Sequence, residues 1–138
     1  MTTHSVTTVF NRNFSFTANI DGHEVKMDDA TDENSDNSGP SPKRLMLASL
    51  AGCTGIDIVS ILNKMKVAFS DFSISVHASL TNEHPKIYNY VKVTYKIKLA
   101  EEDKPKMIKA LSLSKGTYCG VYAMFKTFAK MDTEIDYL

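Results

Sequence analysis

The sequence predicts antiparallel sheet combined with helices, and three observations carry the prediction. Apolar residues alternate with polar ones over the first thirty or so positions and again from Phe72 to Leu99. Between these regions lies one long stretch, from Leu45 to Met65, whose apolar positions cover nearly every face of a helix. A short acidic and polar segment separates the first alternating region from that stretch. Alternation with period two is the mark of a half-buried strand, whereas a long apolar run with a capping signal at its start is the mark of a helix.

The elements follow in order. Val6 to Phe10, then Phe14, Phe16, Ala18 and Ile20, read as two strands. Asp21-Gly22 predicts a two-residue hairpin turn, because glycine tolerates the positive φ such turns require, and His23 to Met27 is the returning strand. From Asp28 to Ser38 the chain cannot bury apolar surface and reads as an exposed, mobile loop. It lacks the glycine and spaced ligands of a calcium loop. Ser41-Pro42 predicts a helix start, with the serine capping free N–H groups and the proline in the first turn, and the helix runs to about Lys66. A helix apolar all round is buried on most sides, by its own domain or by a partner subunit. Phe72 to Leu80 and Ile87 to Leu99 form two further strands, joined through the breaker Pro85. Asp103-Lys104-Pro105 opens a helix that runs to Leu113, and Gly116 interrupts it. Thr117 then caps a helix from Tyr118 to Lys130, and the tail from Thr133 adds a short strand. The whole, residues 1–138, reads as one domain.

Composition excludes several classes. Sixteen basic residues balance sixteen acidic ones, which argues against a nucleic-acid footprint. The first ten residues lack the basic and apolar regions of a signal peptide, and polar residues interrupt the apolar stretch, so the chain is expected to be cytoplasmic with no membrane partner. Two cysteines are too few for a disulfide scaffold. The four histidines show no metal-ligand spacing, so no metal and no bound cofactor is expected.

The two cysteines carry the candidate chemistry. Cys53 is flanked by Gly52 and Gly55 within the long helix, where each glycine costs roughly 1 kcal/mol against alanine, so close packing or ligand access to the sulfur is expected there. Cys119 opens the last predicted helix, whose free N–H groups and dipole stabilise a thiolate. The competing reading for each is a small buried core thiol. Asp57 follows Cys53 by one helical turn, and an acid in that apolar stretch calls for a partner, a polar contact or a cation to orient. Arg12 and Arg44 are the only arginines.

These residues also carry a family resemblance. The run Gly39-Pro40-Ser41-Pro42, Leu45-Met46-Leu47-Ala48 and Ala51-Gly52-Cys53-Thr54-Gly55-Ile56-Asp57-Ile58-Val59-Ser60-Ile61-Leu62 resembles the OsmC-like family, in its YhfA-like branch. Glu83-His84-Pro85-Lys86, Tyr118-Cys119 and Val121-Tyr122-Ala123-Met124 match the same branch. The resemblance implies an α+β fold in which two intertwined subunits contribute antiparallel sheets packed around two long central helices, hence a homodimer. It implies a thiol-dependent reductase of small organic hydroperoxides, with Cys53 peroxidatic, Cys119 resolving and Arg12 supporting the thiolate. An external dithiol, of lipoyl type in that family, restores the pair. The chain departs from the pattern at two places: Lys43 stands ten residues before Cys53, where those proteins carry a glutamate, so that Lys43 or Arg44 is a candidate charge for the thiolate, and at the family's N-terminal arginine Arg12 is the only candidate, with Ser15 in its place when Asn13-Phe14-Ser15-Phe16 is aligned with the branch. These departures keep a second expectation open, a non-catalytic member that binds a small apolar ligand or senses redox state.

Overall fold

The computed structural model of the chain describes residues 1–138. It falls into two compact units, residues 1–46 and residues 47–138. The first unit is a three-stranded antiparallel sheet in the order β1-β2-β3, from β1 (Thr7–Arg12), β2 (Ser15–Ile20) and β3 (His23–Met27). Asp21 and Gly22 both take positive φ, 50° and 80°, the geometry of the expected hairpin turn. Ala18 is the unit's one fully buried apolar residue, while Val9, Phe10, Phe14 and Phe16 stay exposed.

The acidic segment is more organised than its composition predicts. Asp28 is buried and accepts hydrogen bonds from the Asp29 and Ser38 N–H groups and from the Ser35 and Ser38 hydroxyls. These donors, the Ser38 backbone first among them, hold its carboxyl down to about 2. Four donors to one carboxylate replace the apolar contacts the segment lacks. Ser41 ties the segment to the helix that follows: its carbonyl accepts the Arg44 N–H, and its hydroxyl accepts the Ala30 N–H.

The long helix α1 (Pro42–Lys64) starts where the sequence predicts and ends two residues short. Its end is a Schellman motif: Val67 N–H reaches the Leu62 carbonyl, Lys66 N–H reaches Asn63, and Lys66 takes a left-handed φ of 58°. Within the second unit one stripe of α1 is fully buried, Leu50, Thr54, Ile58 and Leu62, and each apolar side chain on it contributes about 1.5–3 kcal/mol. The burial on most sides that the sequence predicts is not met within the chain, since Ile56 remains 74% exposed.

The second sheet has the order β4-β5-β6, from β4 (Phe69–Leu80), β5 (Tyr88–Leu99) and β6 (Lys130–Tyr137). β4 and β5 pair antiparallel, but β6 pairs parallel to β5, so the sheet is mixed rather than antiparallel throughout. A parallel strand needs a crossover. Here a 3-10 turn (Glu101–Asp103), α2 (Lys104–Leu113), a π-helical turn (Ser114–Tyr118) and α3 (Gly120–Phe125) supply it. The strand at residues 130–137 also ends the helix expected to reach Lys130, and α3 is only six residues long. The core of this unit joins the α1 stripe to Val91, Val93, Tyr95 and Ile97 of β5 and to Met107 and Ala110 of α2.

Candidate functional site

Cys53 sits midway along α1, half-buried, between two glycines that differ in role. A Cβ at Gly55 would stand 3.0 Å from Ile74 Cδ1, so this glycine allows β4 to pack close, as expected. A Cβ at Gly52 would meet nothing, so no packing within the chain requires that glycine.

Cys119 comes from the crossover. α2 ends at Leu113, and the π-helical turn closes with the Cys119 N–H donated to the Ser114 carbonyl at 2.7 Å. Such wide turns recur at functional sites because they re-aim a side chain. Here the turn delivers Cys119, buried, beside Cys53, whose side chain acts on its thiol, and both cysteines are free. Two residues far apart in sequence are thus brought together within the second unit.

Cys119 is the N-cap of α3 rather than part of its first turn, and its sulfur accepts the Tyr122 N–H at 3.3 Å. The expected stabilisation of its thiolate by the helix end is outweighed. Burial pushes the thiol up to about 11, the hydrogen bond to the Cys53 sulfur adds to this, the Tyr122 N–H opposes it, and the charges of Cys53 and Asp57 raise it further. Cys119 is therefore a protonated thiol at neutral pH.

Beside the sulfurs runs a chain of hydroxyls that ends on a carboxylate. Tyr95 OH and Thr54 Oγ1 are 2.9 Å apart, Thr54 Oγ1 and Ser114 Oγ 2.8 Å, and Ser114 Oγ donates to Asp57 Oδ2 at 3.0 Å. Asp57 thus finds a polar structural contact, one of the partners the sequence allows for it. Burial pushes the Tyr95 phenol up to about 12, so it stays a donor. Thr54, Tyr95 and Ser114 are not among the site residues the sequence singles out. A signal was present: Thr54 is the one polar residue in the stripe Leu50, Thr54, Ile58, Leu62, and Ser114 continues the Met107, Ala110, Leu111 face of α2.

Arg12 lies in the first unit at the end of β1, where its Nε pairs with Asp36 of the acidic segment at 3.0 Å. Asn13 Nδ2 donates to the same carboxylate.

The chain is similar to known proteins in sequence and in fold. A sequence model of the family described as OsmC-like protein matches residues 35–134. Protein YhfA of Escherichia coli is 28% identical over 105 residues, which cover 76% of this chain and 75% of that protein. A crystal structure of a protein from Aquifex aeolicus superposes with a TM-score of 0.86 at 24% identity, over 100% of this chain and 98% of that one. An organic hydroperoxide resistance protein OsmC from Legionella pneumophila superposes with a TM-score of 0.67 at 17% identity, over 99% and 98% of the two chains.

Proposed function

The chain belongs to the OsmC-like protein family, and from that premise we propose that it is a thiol-dependent hydroperoxide reductase acting on small organic hydroperoxides. The observation that carries the reading is the sulfur pair: a half-buried Cys53 beside a buried, protonated Cys119. The accessible sulfur attacks and the sheltered one resolves. The Cys53 thiolate attacks one oxygen of the O–O bond, the bond breaks, and the alcohol leaves after taking up a proton. The resulting sulfenic acid meets the Cys119 thiol. A sulfur–sulfur bond forms as the sulfur–oxygen bond breaks, and the thiol proton leaves with the hydroxide as water. An external dithiol then reduces the disulfide, and no bound cofactor or metal is used.

Two parts of the reading rest on the family pattern. Arg12, the one candidate for the family's N-terminal arginine, is the cation proposed for the Cys53 thiolate. The homodimer is the second part, and it is supported by the apolar residues that each unit leaves exposed, Phe10 and Val9 in the first and Ile56, Tyr118 and Met124 in the second. We place the protein in the cytoplasm, free of membrane and nucleic acid.

The test is one equivalent of cumene hydroperoxide added to the reduced protein, followed by intact and peptide mass spectrometry. The expected result is loss of two hydrogens with a Cys53–Cys119 linkage, and loss of peroxide turnover in Cys53→Ser. Unmodified thiols after long exposure, or full turnover in Cys53→Ser, would overturn the reading. Lys43, at the position of the family's glutamate, favours a second reading as a redox sensor. A sensor forms the same disulfide but shows no sustained turnover with a lipoyl dithiol.

A further inference from the structure

Two residues of α1 grip one residue of the segment that delivers Cys119. Ser114 Oγ lies 2.8 Å from Thr54 Oγ1 and 3.0 Å from Asp57 Oδ2, while the Ser114 carbonyl takes the Cys119 N–H at 2.7 Å. The polarity of the hydroxyl chain is fixed from its end. Ser114 donates its single proton to Asp57 Oδ2. Thr54 must then donate to Ser114, and Tyr95 to Thr54. No buried side-chain nitrogen or oxygen in the chain lacks a partner, so the network is satisfied in this one arrangement. Cys53 adjoins Thr54 in sequence, and Asp57 follows it by one turn. The sulfur contact and the Ser114 clasp thus join the same stretch of α1 to the same turn of the crossover.

We infer that Ser114, clasped by Thr54 and Asp57, is the positioning residue that holds the Cys119 sulfur against the Cys53 sulfur. The inference rests on the reading of the two cysteines as a redox pair. A five-residue π-helical turn without this clasp has more conformations, and each one that parts the sulfurs lowers their effective concentration toward one another. The group that does this is not itself oxidised and touches neither peroxide nor reductant.

The test needs no peroxide. The reduced protein is equilibrated with mixtures of oxidised and reduced dithiothreitol. The Cys53–Cys119 bond forms as two protons and two electrons pass to the reagent's disulfide. Ser114→Ala is expected to shift this equilibrium about tenfold toward the dithiol, the loss that follows from removing one hydrogen bond to a charged acceptor. Asp57→Ala shifts it the same way. Asp57→Asn, whose amide oxygen still accepts from Ser114, stays within about twofold of the parent. Parental equilibrium constants in both Ser114→Ala and Asp57→Ala overturn the inference. An equal loss in Asp57→Asn and Asp57→Ala also overturns it, by assigning the effect to charge. If Ser114→Ala does not fold, the two Asp57 variants decide at a half-buried position. A parent that closes the disulfide in dithiothreitol but ignores cumene hydroperoxide loses the peroxidase reading and keeps this one. A parent that never closes it loses both.

Discussion

Cys119 is a thiol that the fold keeps protonated, and that has a consequence for stability as well as for chemistry. Its folded value, about 11, lies above the ordinary 9.0, chiefly because burial disfavours the charged sulfur. A group raised in this way contributes stability that is complete below the unfolded value and disappears as pH climbs through the folded one. The unfolding free energy of the reduced protein is therefore expected to fall between pH 9 and 11. The same fall should be shallower in Cys119→Ala, with urea denaturation at fixed pH as the measurement. Matching slopes in the two proteins would remove burial of Cys119 as the cause. Both cysteines were legible in the sequence as reactive candidates, but their contact was not, because no local spacing joins residues on different elements. The charge environment was misjudged for a related reason. A helix end favours a thiolate, yet whether that end faces water or a core depends on packing the sequence does not display. Ser114 and Thr54 were readable in principle, as polar residues placed where the apolar stripes of α1 and α2 predict a hydrophobic one.

At the scale of elements, α1 shows what local chemistry dictates well. Its start at Ser41-Pro42 and its end near Lys66 follow from a proline suited to the first turn and a break in the apolar run. The end is built on Lys66 at a left-handed φ that glycine adopts without penalty. Lys66→Gly is expected to stabilise the protein by about 0.5–1 kcal/mol, the relief of the left-handed strain less the entropy glycine adds to the unfolded chain. Chemical denaturation checks this, and a destabilised variant would show that the Lys66 side chain makes a contact worth more than the strain. The elements that escaped the sequence are those fixed by distant partners. The apolar spacing after Cys119 continues like a helix, but β6 is claimed by β5, and α3 stops at Phe125. The acidic segment reads as featureless because its order comes from one carboxylate, Asp28, gathering donors from residues up to ten positions away.

At the scale of the whole molecule, the apolar surface left open is the dominant fact. A three-stranded sheet with one fully buried apolar residue has no core of its own, and Ile56 projects from the helix that carries Cys53. On the proposed homodimer, size-exclusion chromatography with light scattering gives twice the 15.4 kDa of one chain, and Ile56→Asp shifts the population toward one. A parent protein at the mass of a single chain would leave that surface to some other partner. The α+β class and the helix that carries Cys53 were legible from periodicity, whereas the division into two sheets and the parallel edge were not, since pairing between strands is set by the path of the chain. That path has a further consequence in time. β4 and β5 close over residues 81–87, but β6 docks only after residues 100–129 have crossed the sheet, and Cys119 travels on that crossing. The sulfur pair is closed by the crossover and not by the β4-β5 hairpin. A half-folded chain offers two unrelated thiols, each open to whatever lies nearest, and only the finished topology makes them answer to one another.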